Sequence, residues 1–293
     1  PNSVAVIGAT GEPGHVGSVI MKNLLAGKFL GPVMPVNPAV DAVAGVLAYK
    51  SVDTMPLTPD LGVICTPPET APDAIKDLGK RGTRAAVVLS PGYNKLSRPD
   101  KKALQQRMLE AASPYGVRIL GPSGLGLIIP GIGLNCSLSS SDAKPGRIAF
   151  ISQSASLFTA VLDWAGTKGI GFSYLVSLGD RADLKYGDII DYLSSDPNTR
   201  SILLYVESVT DARSFMSASR AAARNKPVLV IKPGRKLWTV SPPGPDEGKD
   251  EVYDEAFRRA GMLRVFEIDA LFDAALTLGR SRPLRGAGLA ILS

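Results

Sequence analysis

Gly8-Ala9-Thr10-Gly11-Glu12-Pro13-Gly14-His15-Val16-Gly17 decides the fold of this chain, because it joins the apolar run Ser3 to Ile7 to the amphipathic segment Val19 to Leu25. The two flanking patterns are typical of a strand and a helix. Glycines at such a junction let the backbone approach a pyrophosphate, and the helix N-terminus favours its negative charge. They also serve tight turns and close packing. The stretch favours a nucleotide-bearing ligand.

Strand-like and helix-like runs alternate along the chain. The strand-like runs are Val33 to Val36, Leu61 to Cys65, Ala85 to Leu89 and Arg118 to Leu120, then Arg147 to Ile151, Phe172 to Ser177, Ser201 to Val206 and Val228 to Ile231. Amphipathic segments between them include Pro72 to Lys80, Pro99 to Ala112 and Leu157 to Ala165. This alternation predicts an α/β fold with two doubly wound domains, both with parallel sheets.

The alternation pauses at Gly121 to Gly146, which is rich in Gly, Pro and Ser. We therefore expect a first domain over 1–125, a connection with some strand content over 126–146, and a second domain over 147–285. Residues 286–293 form another apolar run, which predicts a strand that starts a further domain. Since an unpaired apolar strand is costly, the chain is expected to be a fragment of a longer protein.

Composition bounds the class of protein. The 293 residues are 45% hydrophobic and 20% charged, which is ordinary for a protein of two domains. No run approaches the ~20 apolar residues of a membrane span and no leader pattern is visible, so we expect a cytoplasmic protein without a membrane partner. The net charge is +6, but Lys and Arg are dispersed, which disfavours nucleic acid and favours phosphorylated small molecules.

The scarcity of cysteine and histidine excludes several chemistries. Two cysteines, Cys65 and Cys136, make neither a disulfide framework nor a metal cluster, and Cys65 is expected to be a buried, inert thiol. The single histidine is His15, so a histidine-rich zinc site or a Ser-His-Asp triad in the second half is excluded. His15 itself could contact a phosphate or be a polar residue at a helix start.

The first candidate site lies where the strands of the first domain end. Asn37-Pro38 follows the second strand, where dinucleotide enzymes place Asp or Glu. The absence of that carboxylate argues against NAD and is compatible with a ligand such as coenzyme A. Asn-Pro is also a common turn. The loops at Cys65 to Thr70 and Ser90 to Gly92 should converge on the glycine loop. The predicted cofactor-binding residues are Thr10, Gly11, Glu12, Pro13, Gly14, His15, Asn37, Thr66, Pro67, Pro68, Ser90, Pro91 and Gly92.

The second candidate site lies in the second half. Ser152-Gln153-Ser154 stands between a strand and a helix, where hydroxyls either cap the helix or complete an anion site, and Glu207 ends a neighbouring strand. These residues would form a phosphate-handling edge, but no nucleophile is evident beside them.

The chain resembles the NDP-forming acyl-CoA synthetases, which are related to the α subunit of succinyl-CoA synthetase. The matching motifs are Gly8 to Gly17, Asn37-Pro38, Thr66-Pro67-Pro68, Gly121-Pro122-Ser123-Gly124, Ser152-Gln153-Ser154, Leu178 to Asp183, Gly187-Asp188 and Asp250 to Phe257. The resemblance covers nearly the whole chain. It implies a CoA-binding Rossmann domain, a flavodoxin-like CoA-ligase domain, and coenzyme A or acetyl-CoA as cofactor.

Two positions depart from this family. Its phosphorylated histidine, in the loop before Asp250, falls on Pro242, and a lysine that contacts the CoA phosphates falls on Ala39. Proline has no nucleophilic side chain, so the resemblance implies no catalytic residue here. Ser152, Gln153, Ser154, Glu207 and Pro242 would then be a degenerate phosphate site.

A synthetase-like scaffold without its histidine is similar to the N-terminal region of Pat-type protein lysine acetyltransferases. That resemblance implies an acyl-CoA-binding regulatory region, with a C-terminal acetyltransferase domain, an ATP-grasp domain and a protein substrate such as an acyl-CoA synthetase as partners. The oligomeric state stays open, with a homo-oligomer among the alternatives. The alternative is an active synthetase subunit. An NAD(P)-dependent oxidoreductase is a further alternative, but no Tyr-x-x-x-Lys pair occurs in the chain. A structural CoA-binding module is not separable from the regulatory reading.

Overall fold

The computed structural model describes residues 1–233 and 250–280 and contains two main β-sheets. The strands of the first half are β1 (Val4–Ile7), β2 (Val33–Val36), β3 (Ala42–Val43), β4 (Val46–Leu47), β5 (Leu61–Ile64), β6 (Ala85–Val88) and β7 (Arg118–Leu120). Its helices are α1 (Val16–Ala26), α2 (Ala71–Lys80) and α3 (Arg98–Ala112). The predicted strands and helices of the first domain are therefore confirmed, with ends that differ by up to three residues.

The first sheet has five parallel strands in the order β2-β1-β5-β6-β7. Ile20, Met21 and Leu24 of α1 pack in one core cluster, whereas Ile75 of α2 and Met108 of α3 pack in another. Both faces of the sheet are thus covered, as parallel sheets require. Because β2 and β5 lie on opposite sides of β1, the strand order reverses there, and ligands of such sheets bind at the carboxyl ends of the strands beside that point.

The second sheet has seven strands in the order β14-β13-β12-β10-β11-β8-β9. Its strands are β8 (Gly126–Ile129), β9 (Leu134–Ser137), β10 (Lys144–Ser152), β11 (Gly171–Ser177), β12 (Ser201–Tyr205), β13 (Val228–Ile231) and β14 (Leu263–Val265). The helices are α4 (Ala155–Lys168), α5 (Tyr186–Ser195), α6 (Ala212–Asn225), α7 (Asp250–Ala260) and α8 (Ile268–Arg280). The order reverses at β10, which places a second crevice between the ends of β10 and β12.

One edge of the second sheet is antiparallel, which the expectation of parallel sheets did not include. β8 and β9 form a hairpin, and β8 pairs antiparallel with β11. A short turn at Pro130–Ile132 reverses the chain between them. The segment interpreted as a connection with some strand content thus supplies two strands to the second sheet, while the domain limits themselves stay a prediction.

Backbone and side-chain hydrogen bonds join the two halves. Asp180 donates its N–H to the Pro122 carbonyl at 2.7 Å, and a carboxylate oxygen of Asp183 accepts the Ile119 N–H at 2.8 Å. Asp183 also forms an ion pair with Arg118 at 2.9 Å. The segment after β11 therefore lies against the end of β7, and it links the carboxyl edges of both sheets.

Cys65 and Cys136 are both fully buried, which confirms the expected environment of Cys65. Within 1–233 and 250–280, no helix is long and apolar enough to cross a membrane. The predicted strand over 286–293 and the position of Pro242 lie outside the described residues.

Candidate functional site

The glycine loop after β1 is held closely against the sheet and against α1. Gly8 has a φ of +81°, which favours glycine, and a Cβ there would lie 2.8 Å from Thr66 Cγ2. A Cβ on Gly17 would lie 2.2 Å from the Gly8 carbonyl oxygen. These two glycines are required by the protein's own packing, and they set the start of α1 directly over the end of β1.

Gly11 and Gly14 have a different environment. Apart from their chain neighbours, no atom of residues 1–233 and 250–280 lies within 4 Å of a Cβ built on either residue, and both residues are exposed. Together with Thr10, whose hydroxyl accepts the Glu12 N–H at 3.2 Å, they form the outer rim of the loop. The rim is open to a ligand, which is the arrangement that the phosphate-loop reading predicts.

His15 is the N-cap of α1. Its Nδ1 accepts the Gly17 N–H at 3.1 Å, and its side chain is half-buried. The helix-start reading of His15 is therefore present in the structure. His15 also lines the cavity beside the loop, so contact of its other ring nitrogen with a ligand remains a prediction.

The turn after β2 is fastened to the glycine loop by Asn37. The Asn37 side-chain amide donates to the Ala9 carbonyl at 2.7 Å, and its oxygen accepts the Ala39 N–H at 2.9 Å. Asn37 thus makes the turn that its sequence suggested and also holds the Asn37–Pro38 wall against the loop.

The loop after β5 forms the opposite wall. Thr70 Oγ1 donates to Thr66 Oγ1 at 2.9 Å and lies 2.8 Å from the Pro67 carbonyl oxygen, while Pro68 is buried and begins a short helical turn. Together the three loops enclose a cavity of about 350 Å³ at the carboxyl edge of the first sheet. Its lining is Ile7, Gly8, Thr10, Glu12, His15, Val36, Asn37, Pro38, Cys65, Thr66 and Pro67.

The charged side chains of the three loops around this cavity are acidic. The segments 8–15, 37–41 and 65–70 contain Glu12, Asp41 and Glu69 and contain no lysine or arginine. Burial raises the pKa of the Cys65 thiol, and the nearby Cys136 raises it further. Cys65 therefore remains a neutral thiol at the cavity wall near pH 7, and the polar groups available to a ligand are loop N–H groups and hydroxyls.

The third predicted loop, Ser90-Pro91-Gly92, lies at the end of β6. It leads toward the contacts that join the two halves, which we call the seam. The Ser90 hydroxyl is buried and has no hydrogen-bond partner within the part of the chain that is described. Tyr93, which follows, accepts a hydrogen bond from Gln105 at 2.8 Å. Burial, with the charge of Asp180 next in importance, raises the pKa of Tyr93 to about 12. The cavity lining comes from the other three loops, so ligand contact by residues 90–92 stays a prediction.

The second crevice brings Gln153 and Glu207 together. Gln153 Oε1 accepts the N–H groups of Glu207 at 2.6 Å and of Ser208 at 3.0 Å. Ser154 caps α4 by accepting the Leu157 N–H at 3.2 Å, and the buried Ser152 hydroxyl bonds with the backbone of Ser154. The capping reading thus accounts for both serines, while a phosphate site over these residues stays a prediction.

Arg181, which lies in the motif Leu178 to Asp183, holds the backbone at the second crevice. It has a φ of +57°, and its guanidinium donates to the carbonyl and hydroxyl oxygens of Ser208 at 2.6 and 3.1 Å. Its charge also lies near the buried Tyr186, whose pKa is raised chiefly by burial. A non-glycine residue in this backbone conformation is uncommon, but sequence alone does not reveal it.

Comparison with known proteins identifies both halves. Residues 2–130 match the CoA binding domain family, and residues 145–278 match the succinyl-CoA ligase like flavodoxin domain family. These matches confirm the predicted fold class and domain order. The match of residues 2–130 also confirms coenzyme A as the predicted cofactor.

Several relatives match over the whole chain. The ADP-forming acetate–CoA ligase I of Archaeoglobus fulgidus is 39% identical over 100% of this chain, which covers 43% of that protein. The α subunit of ADP-forming acetate–CoA ligase I of Pyrococcus furiosus is 36% identical over 100% of this chain and 65% of its own length. The chain thus spans 43% and 65% of the lengths of these two relatives.

A solved structure agrees with this similarity. The dinucleotide-forming acetyl-coenzyme A synthetase 1 of Candidatus Korarchaeum cryptofilum, in complex with phosphate and ADP, superimposes with a TM-score of 0.88 and 32% identity. The match covers 98% of this chain and 62% of that one.

Proposed function

The chain belongs, by both of its domains, to the α-subunit-like family of NDP-forming acyl-CoA synthetases, and on this premise we propose that it is the coenzyme A-binding part of an ADP-forming acyl-CoA synthetase. Its relatives named as ADP-forming acetate–CoA ligases support this reading over a regulatory region of an acetyltransferase. Acetate or another small carboxylic acid would be the acyl donor.

The observation that carries the proposal is the cavity at the carboxyl edge of the first sheet. Its size of about 350 Å³ suits one portion of an extended ligand, and the open rim at Gly11 and Gly14 admits phosphates. The buried Ser90 hydroxyl, which has no hydrogen-bond partner among the described residues, lies just beyond the end of β6 on the same edge of the sheet. Coenzyme A has this shape and polarity, and when bound it would supply the thiol that carries the acyl group.

Within this proposal, the crevices of the two sheets have separate functions. The loop N–H groups and the N-terminus of α1 bind pyrophosphate, and Asn37 keeps the loop and the β2 turn in register. At the second crevice, Gln153 fixes the backbone of Glu207 and Ser208, so that the Glu207 carboxylate is presented at the edge of the second sheet. The described side chains position ligands; no described residue is assigned a covalent step.

One sequence feature favours a second candidate function. Pro242 occupies the position of the family's phosphorylated histidine, and His15, in the glycine loop, is the chain's one histidine. A chain that binds acyl-CoA but relays no phosphoryl group would be a sensing region, as in the acetyltransferase reading. Association with an acetyltransferase domain has no further support here and stays a prediction.

One experiment separates the two candidates. The chain is titrated with CoA and acetyl-CoA by calorimetry and is then mixed with an ATP-grasp partner, acetyl-CoA, ADP and phosphate. Formation of ATP, acetate and free CoA supports the synthetase function. Binding without ATP formation by the unaltered chain favours the sensing function, and a Pro242→His variant that does form ATP in the same mixture is the positive control. No binding of CoA or acetyl-CoA contradicts both.

A further inference from the structure

Among the described residues, the lining of the glycine-loop cavity contains no lysine or arginine. As described above, the three loops around it contribute carboxylates and no lysine or arginine. Coenzyme A carries a phosphate on its ribose in addition to the pyrophosphate, and in sheets of this kind the ribose lies beyond the carboxyl end of the second strand. A ribose phosphate at that place needs a positive charge, because a buried or half-buried phosphate is bound most strongly by charge-assisted hydrogen bonds.

Lys50 is brought to this place by pairing that is distant in sequence. Tyr49 forms a bridge with Val36 at the end of β2, and the Asn37 N–H donates to the Tyr49 carbonyl at 2.9 Å. The next residue, Lys50, extends across the β2 turn, and its ammonium donates to the Val40 carbonyl at 3.1 Å. Lys50 therefore lies over the same turn whose first residues, Asn37 and Pro38, form a wall of the cavity.

Within the described part of the chain, the Lys50 ammonium is held in place only by an exposed ion pair and a backbone hydrogen bond. Its ion partner is Asp41 at 2.7 Å, and the side chains are 52% and 93% exposed, respectively. The hydrogen bond and charge of Lys50 lower the pKa of Asp41, so Asp41 stays ionised. Exposed pairs of this kind contribute little because water screens them, so the ammonium can turn to a phosphate without a large loss.

From this geometry we propose that Lys50 binds the ribose phosphate of coenzyme A and makes the site select CoA over its analogue without that phosphate. The inference rests on the proposed CoA-binding function. It assigns to Lys50 a cationic role for which the three loops contain no lysine or arginine. Asp41 then holds the side chain over the turn when no ligand is present.

The test compares CoA with dephospho-CoA, which lacks the ribose phosphate, by calorimetric titration of the whole chain. Lys50→Met keeps the aliphatic stem and removes the charge. We expect it to weaken CoA binding about tenfold, which is the size of one charge-assisted hydrogen bond, and to leave dephospho-CoA binding unchanged. Lys102→Met, at an exposed position on α3, removes the same charge elsewhere and should alter neither affinity.

The outcomes are distinct. Equal weakening of both ligands by Lys50→Met would show that Lys50 only maintains the turn, and no weakening of either would place the phosphate elsewhere; each overturns the inference. Retained dephospho-CoA binding shows that the variant is folded. If the unaltered chain binds neither ligand, the proposed function fails and the inference fails with it, whereas equal affinity of the unaltered chain for the two ligands refutes the inference alone.

Discussion

Glycines of the same loop have two unlike tasks, which substitution can separate. Gly17 is fixed by contact with the Gly8 carbonyl, whereas Gly11 faces open space. Gly17→Ala should lower the free energy of unfolding by about 1–3 kcal/mol, because α1 must move away from β1 to accommodate the methyl group. Gly11→Ala should change stability by less than about 0.5 kcal/mol but weaken CoA binding. Urea unfolding and calorimetric titration measure the two effects, and a Gly17→Ala protein as stable as the parent would contradict the packing argument.

The buried thiols predict how stability depends on pH. Burial raises the pKa of Cys65 and of Cys136, whereas unfolded cysteine ionises near pH 8.5. Above about pH 8.5 the native state therefore holds more protons than the unfolded state, and the free energy of unfolding falls as pH rises, by up to about 1.4 kcal/mol per pH unit for each thiol. Below that pH the contribution is fully present.

Urea unfolding between pH 8 and 10 checks this prediction. The double variant Cys65→Ala/Cys136→Ala should lose most of the slope in this range, whatever its stability at pH 7. Tyrosines with raised pKa values, such as Tyr93, act only above about pH 10, since that is where unfolded tyrosine ionises. A double variant whose stability falls as steeply as that of the parent would assign the slope to other groups.

At the scale of elements, α1 joins the glycine loop to the second sheet. Asn23 donates from its side-chain amide to the carbonyls of Ser137 and Ser139, at 2.7 and 2.9 Å. Asn23→Ala should cost about 1–3 kcal/mol, because the carbonyls of two buried serines lose a donor. Lys22→Ala, on the exposed side of the same turn, is the matched control. Equal unfolding midpoints for the two variants would show that this contact contributes nothing to stability.

Sequence reasoning recovered the local elements and missed the distant pairings. Arg118–Leu120 and Val228–Ile231 have the predicted bounds, because apolar runs between turn residues mark buried strands well. The β8–β9 hairpin was assigned to a connection, since only its pairing with β11 places it in the second sheet.

The candidate site shows the same division. Glycine spacing and strand ends predicted the walls at Thr10, Asn37 and Thr66, all of which line one cavity. Lys50 and Arg181 were missed because their positions depend on a bridge to β2 and on a left-handed backbone, neither of which a local pattern reveals. The seam at Ser90 to Tyr93 likewise depends on Asp180, nearly ninety residues away.

At the scale of the molecule, two switch-point crevices open at the carboxyl edges of two sheets that share a seam. The seam includes the backbone bond between Asp180 and Pro122, the Asp183 contacts with Arg118 and Ile119, and the Asn23 contacts with β9. A ligand bound in the first crevice therefore stabilises a body that includes the second sheet. Under the proposed synthetase function, an acyl group at one crevice would have to meet a thiol held at the other, and such coupling would keep the two crevices in a fixed relative position.

Calorimetric unfolding tests this coupling. We expect the unaltered chain to unfold in one transition whose midpoint temperature rises when CoA binds. Ligand at one hundred times its Kd stabilises the native state by about 2.7 kcal/mol. Asn23→Ala/Asp183→Ala removes the side-chain hydrogen bonds and the ion pair that Asn23 and Asp183 contribute to the seam and leaves its backbone hydrogen bonds in place. If these side chains couple the sheets, the variant should unfold in two transitions, and CoA should raise the midpoint temperature of only one. Lys22→Ala/Asp77→Ala removes exposed charges and should retain the single transition. If the variant still unfolds in one transition whose midpoint temperature CoA raises, the sheets are coupled by the remaining backbone hydrogen bonds and by apolar packing, and the side chains of Asn23 and Asp183 do not couple them.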